Sequence, residues 1–295
     1  MLETIALAVP TSLILLYLII GAVEFAFPVL DVAGLLPAGF AKKYFAPVWE
    51  TTNVFLVMAL TAMFTVFAKA EPQIAEGVRG ALLLTGGLLA TRAILVLASF
   101  YGYVRGEWVR NLWAIASLAI PFVLAQVLLF FVMPDAEMSG MVGFWAGLGM
   151  VLTVLSIGTV FVACYEREAG KKGLKNLSVV LVACVTAFVI GTILYFSLYL
   201  TAIIVAGLGV LALGVNIVSK SWWRFVTVVL VVVAMWVAVF VRQLPYLIYG
   251  QVKVSEAVTD TTNLAVIVGS LVVAIVVIVP AFWLLHRLVR GNLEV

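Results

Sequence analysis

From Asn176 to Ser219 the chain carries no charged side chain at all. Drawn as one helix at about 1.5 Å per residue, that stretch would extend roughly 66 Å, about twice the ~30 Å hydrocarbon core of a bilayer. So long an apolar run suits a membrane, and within one it has to fold back on itself. The reversal is expected around Ser197 to Thr201.

The rest of the chain follows the same rule. It is 65% hydrophobic and 11% charged, against roughly 45–50% and about 25% in a soluble domain. Nine apolar runs each supply the roughly 20 residues that one crossing needs. The sequence therefore predicts an all-α polytopic membrane protein, a single membrane domain over residues 1–295. Its nine transmembrane helices fall near 5–30, 48–68, 77–104, 112–133, 141–165, 177–198, 200–219, 222–245 and 263–289.

Lysines and arginines collect on the cytoplasmic side because their translocation is disfavoured. Loops after helices one, three, five and seven, together with the C-terminus, hold twelve of them, from Lys42 and Lys43 through Arg110, Lys175 and Arg224 to Arg290. The opposite side holds four, namely Lys69, Arg79, Arg242 and Lys253. The N-terminus is thus expected outside and the C-terminus in the cytoplasm. Trp108, Trp113, Trp222 and Trp223 border the inner loops, with Trp49 and Trp283 near helix ends on that side, as amphipathic rings favour the headgroup level. Glu3 stands where a signal peptide would carry basic residues, so the first helix is expected to stay. The formal charge of +3 reflects these loops and gives no reason to expect a nucleic-acid partner.

Residue counts remove several chemistries. His286 is the only histidine, so this chain alone does not furnish the imidazoles of a haem-copper oxidase or a multi-haem cytochrome b. Cys164 and Cys184 lack the paired spacing of zinc or iron-sulfur sites and read as small packing residues. No metal site is expected. There is no phosphate-binding glycine loop. Gly86, Gly87, Gly207, Gly209 and Gly214 lie within spans, where small residues permit close helix packing. A serine-histidine-acid triad would rest on His286 with no acid near it.

Three ionisable residues fall inside spans or at their edges: Glu24 in the first helix, Glu50 opening the second and Arg92 in the third. A charge at membrane depth costs several kcal/mol unless paired, protonated or wet, so each is a functional candidate. Counting along the helices puts all three in the inner half, where they can meet between neighbours. Glu24 and Glu50 are then candidates for a proton pathway with Arg92 as charge partner, since burial and a neighbouring cation act on a carboxylate in opposite senses. The plainer reading is a buried ion pair that fixes helix register. Arg242, Gln243, Pro245 and Tyr246 end the eighth helix, and proline there makes a structural corner.

The run Trp49-Glu50-Thr51-Thr52-Asn53-Val54-Phe55-Leu56 resembles the Trp-Asp-Gly-Asn-x-x-Trp-Leu signature near the second helix of subunit II of cytochrome bd quinol oxidases. Further pieces follow in the family's order. They are Arg92 where the family has a Phe-Arg pair, Trp108-Val109-Arg110-Asn111-Leu112-Trp113 opening the fourth helix, Leu244-Pro245-Tyr246-Leu247-Ile248 closing the eighth, and Ile278-Val279-Pro280 in the last. The resemblance spans about the whole chain.

It implies a haem-free subunit in a prokaryotic plasma membrane, supporting quinol oxidation and oxygen reduction to water. The haems of b and d type would then reside on a homologous subunit I. Quinone and membrane lipid are further implied partners, with a quinone held as a structural lipid in some members; a small accessory subunit is left open. Departures bear on mechanism. The family's Asp-Gly-Phe-Asp in the first helix is here Glu24-Phe25-Ala26-Phe27, so one acid is displaced and the other lost. Glu50 replaces an aspartate, and the loop between helices six and seven is almost absent. The rival reading is a proton-coupled transporter using Glu24, Glu50 and Arg92, but neither inverted repeats nor paired helix breaks are visible. A pure scaffold would differ from a proton-conducting subunit in whether Glu50 titrates.

Overall fold

The computed structural model describes residues 2–36, 46–100, 106–134, 141–165, 172–195, 199–218, 222–258, 262, 264–270, 273 and 276. Within them stand eight long helices: α1 (Leu2–Val32), α2 (Ala46–Val66), α3 (Glu71–Phe100), α4 (Glu107–Val132), α5 (Met141–Tyr165), α6 (Lys172–Tyr195), α7 (Tyr199–Val218) and α8 (Trp223–Gln243). A 3-10 turn at Ala68–Ala70 joins α2 to α3. Among the described residues six helices are long and apolar enough to cross a membrane, and Thr52–Val66 and Ile204–Val218 are shorter apolar stretches of α2 and α7. The chain is a multi-pass membrane protein. Most of the ninth expected span lies outside the described residues, although 264–270 are helical.

The charge-free run does fold back. α6 ends at Tyr195, α7 starts at Tyr199, and the two pack against one another. Several helices begin earlier than hydropathy alone suggests: α3 at Glu71, α4 at Glu107 and α6 at Lys172. Their first turns tolerate charge and proline because the leading N–H groups lack intrahelical partners anyway. Glu71 and Pro72 open α3, and Glu107 follows the extended Gly106 into α4.

The helices form two groups, α1 to α4 and α5 to α8, joined where α1 and α4 pack on α5. α1 is the hub, since it touches α2, α4, α5 and α8 and contributes to all three buried clusters. Two-thirds of its span is inside (67%), against 22% for α3, whose Leu83, Leu84, Ile94 and Leu97 face outward. Helices in lipid gain little from hiding apolar surface and associate by close packing. Gly158 of α5 meets α1 in that way, because a Cβ there would stand 2.6 Å from the Ala22 carbonyl oxygen and against the Ala26 methyl.

α1 stops in a Schellman turn. Gly34 adopts φ +66°, its N–H donates to the Asp31 carbonyl (2.9 Å), and that of Leu35 donates to the Leu30 carbonyl (2.9 Å). This end of the bundle carries Asp31, Arg110, Cys164 and Arg224. The other end is closed by an element the all-helical reading did not contain. After α8, strands β1 (Tyr246–Ile248) and β2 (Val252–Lys253) pair antiparallel, followed by one turn of helix, α9 (Val254–Ala257). The segment 244–248 therefore does not close a helix; α8 ends at Gln243 and Pro245 leads into the hairpin. Gly250, at φ +75°, makes the turn. Gln243 is buried, and its amide donates to the carbonyls of Phe131 (2.9 Å) and Leu247 (2.8 Å), tying the hairpin to α4.

Three local expectations are corrected. Gly86, Gly87, Gly207 and Gly214 have nothing within 4 Å of a modest side chain, and of the five singled out only Gly209 packs closely, against Thr186. Cys184 is exposed on the outer face of α6, whereas Cys164 is buried as expected. Trp113 is 6% exposed and packs on Phe27 at 6.3 Å between ring centroids, so it belongs to the core, while Trp108 stays exposed.

Gly158→Ala overpacks the α1–α5 contact and should lower stability by about 1–3 kcal/mol. Thermal inactivation of the detergent-purified protein should show the loss, with Gly207→Ala unchanged as the control.

Candidate functional site

Hydroxyls within the spans mostly satisfy themselves on their own helix. Thr65, Thr85, Thr91, Thr153 and Thr192 each donate to the carbonyl four residues back, as isolated polar side chains in a helix do. Thr52 does not follow that pattern. Its hydroxyl crosses from α2 to α1 and donates to Glu24 Oε1. Gly21 lets this happen, because it leaves room for the Thr52 methyl and the Phe25 ring, each 3.2 Å from where its Cβ would be.

The other carboxylate oxygen is taken from α3. Arg92 Nη2 lies 3.3 Å from Glu24 Oε2 and 3.3 Å from the Glu24 backbone carbonyl. Both side chains are removed from solvent, Arg92 at 3% and Glu24 at 1% exposure. The guanidinium carbon also sits 4.8 Å above the Phe25 ring centre, a cation–π contact that helps to hold a desolvated cation. Phe25 is stacked edge-on to Tyr17 at 6.1 Å. One carboxylate, one guanidinium and one hydroxyl from three helices thus converge in the interior of the first helix group.

The predicted meeting of Glu24, Glu50 and Arg92 is therefore observed for Glu24 and Arg92. Glu50 stands two residues before Thr52 in the first turns of α2, and its side chain and that of Trp49 fall outside the described residues. Asn53 is half-buried next to Thr52. Arg110 pairs with Asp31 at 3.8 Å, both about four-tenths exposed, at the end of the bundle, and Asn111 is exposed beside it. Pro245 is exposed and Tyr246 half-buried in the hairpin. Arg242 stacks on the Tyr249 ring at 4.3 Å.

Sequence reading missed a second polar cluster. Arg224, counted there among the loop cations, is 4% exposed in the first turn of α8. Its Nε donates to Asn216 Oδ1 of α7 (3.2 Å) and its Nη2 to Ser178 Oγ of α6 (2.7 Å). The signal was present: Asn216 is an amide inside an apolar helix, and such groups seek partners across helices. Tyr17 was also overlooked, although it lies seven residues before Glu24 on the same helix.

His286 lies outside the described residues, Cys164 is enclosed in the core, Cys184 faces outward, and no three His, Cys, Asp or Glu converge among the described residues. Between α4, α5, α6 and α8 two adjoining apolar cavities of about 360 and 150 Å³ share Leu129, Ala146, Phe188 and Thr192.

The profile of the family described as cytochrome bd terminal oxidase subunit II matches residues 2–289. The chain belongs to that family. As a subunit of a cytochrome bd terminal oxidase it works within a respiratory oxidoreductase complex whose haems and subunit I the family implies, and the transporter reading is not favoured. Among solved structures it is similar to a chain of "The structure of bd oxidase from Geobacillus thermodenitrificans", with a TM-score of 0.84 and 21% identity over 97% of this chain and 98% of that one. At that identity the likeness speaks for the fold. Comparison with curated proteins finds no match.

Arg92→Leu leaves a buried carboxylate without its cation, and breaking one side of such a pair costs about 3–5 kcal/mol. Arg92→Leu combined with Glu24→Gln should recover much of that loss. A double-mutant cycle on thermal unfolding of the purified complex reads the coupling, and simple additivity of the two would refute it.

Proposed function

We propose that the chain is the haem-free subunit of a quinol-oxidising, oxygen-reducing complex in a prokaryotic plasma membrane, and that it carries protons inward from the cytoplasmic side through Glu24. The observation that supports this reading is the Glu24, Arg92 and Thr52 cluster: a carboxylate with two fixed donors, fully inside the helices. Oxygen reduction on a partner subunit consumes protons, and a carboxylate is the group that can take one up and pass it on within a membrane. Arg92 supplies positive charge that holds Glu24 in place.

Glu50 is proposed as the receiving group. It precedes Thr52 by two residues on α2, so it belongs to the turn of the helix that touches Glu24. The haems of b and d type are proposed for subunit I, in keeping with the donor set described above. A quinone retained as a structural lipid would have its chain in the apolar groove between α4, α5, α6 and α8, whose walls, such as Trp145, Phe188 and Leu129, suit an isoprenoid tail.

Glu24→Gln and Glu50→Gln keep side-chain size while removing the charge. In the purified complex each should lower quinol oxidase turnover and proton uptake by about 10-fold or more, in the range that removal of a proton-transferring group produces, with the reduced-minus-oxidised haem spectrum intact. Unchanged turnover would assign the residue a structural role, and loss of haem would assign it to assembly. Gentle purification of the unmodified chain should bring haem with it through subunit I; a haem-free single chain would overturn the reading.

A further inference from the structure

Tyr17, Glu24 and Asp31 stand seven residues apart in succession on α1. Two helical turns separate each pair, about 10.5 Å along the axis, and the spacing puts all three on one face. Asp31 is partly exposed at the end of the bundle, Glu24 is enclosed, and Tyr17 is enclosed further in, at 0%. Proton-bearing groups thus descend from the surface into the core along a single stripe.

The Tyr17 hydroxyl has no hydrogen-bond partner among the described residues. Buried hydroxyls nearly always find one, either protein or ordered water. A phenylalanine would fill this volume and make the same edge-on contact with Phe25 without stranding an O–H. The oxygen lies within the electrostatic reach of both Arg92 and Glu24, and the Phe25 ring is in contact with Tyr17 and Arg92 alike. Ser117 of α4 adds another fully buried hydroxyl without a partner among the described residues. It stands one turn from Trp113, which packs on Phe27, so it faces the same stretch of α1.

We propose that Tyr17 is a proton-exchanging partner of Glu24 through ordered water held in this interior, the next group inward after the carboxylate. The inference rests on Glu24 lying on a proton path. In each passage the Glu24 carboxylic acid gives its proton to the water, the water gives one to the phenolic oxygen, and the phenol gives its own to a second water further in, which carries it on; Glu24 is left as the carboxylate and no charge is left on the tyrosine.

Tyr17→Phe in the purified oxidase complex tests it, with Glu24→Gln as the comparator. The expected result is a severalfold fall in turnover with normal haem content and a changed solvent deuterium isotope effect. A redox-induced water O–H infrared band that shifts in H2 18O should also be lost. If Glu24→Gln is slow while Tyr17→Phe keeps wild-type turnover, isotope effect and water band, the Tyr17 proposal is overturned and the role of Glu24 stands. If Glu24→Gln turns over normally, the path through Glu24 fails and the proposal with it. Should the phenylalanine variant lose haem, 3-fluorotyrosine at position 17 keeps the shape and makes the hydroxyl more acidic. Turnover that follows the acidity supports the proposal, and turnover equal to that of the unmodified complex overturns it.

Discussion

The arrangement of the first four helices depends on one buried ion pair. Glu24 and Arg92 each sit where an isolated charge would cost several kcal/mol, and the only remedies are water, protonation or one another. Arg92 meets the carboxylate at 3.3 Å from a helix that is otherwise largely turned outward. That contact fixes the depth of α3 relative to α1, because sliding either helix by one turn, about 5.4 Å, would separate the charges. Thr52 does the same for α2. Three helices are set in register by polar atoms, and apolar packing fills in around them.

This explains why the site was partly legible in the sequence. Lone charges in apolar runs are conspicuous, and counting residues from the helix ends sufficed to put Glu24 and Arg92 at one depth. Helix existence was equally plain, because lipid demands about 20 apolar residues per crossing and the chain obliges. Ends were harder to read, since charged first turns at Glu71 and Lys172 extend helices beyond their apolar runs.

What hydropathy could not convey was which side of a helix faces inward. Most side chains of a membrane helix are apolar on every side for reasons of solvent, so core-facing and lipid-facing positions look alike. Gly158 and Gly207 are indistinguishable as letters, yet one is pressed against α1 and the other meets open space. Arg224 looked like a loop cation because it is adjacent to Lys220, whereas three helices have closed around it. The hairpin after α8 was hidden for the opposite reason: its apolar residues, Leu247 and Ile248, read as more helix when they are in fact a lid on the bundle end.

The seam between α1 and α5 bears on how the protein comes to be built. α1 leaves the ribosome before the helices it packs against, and its partners arrive in instalments: Thr52 with the second helix, Arg92 with the third, and the bare backbone at Gly158 only with the fifth. Until then its Ala22 and Ala26 have nothing of matching shape to rest against, and before the third helix Glu24 has no cation. The helix that organises the bundle must therefore wait in the bilayer for its partners, held at first by length and hydrophobicity alone.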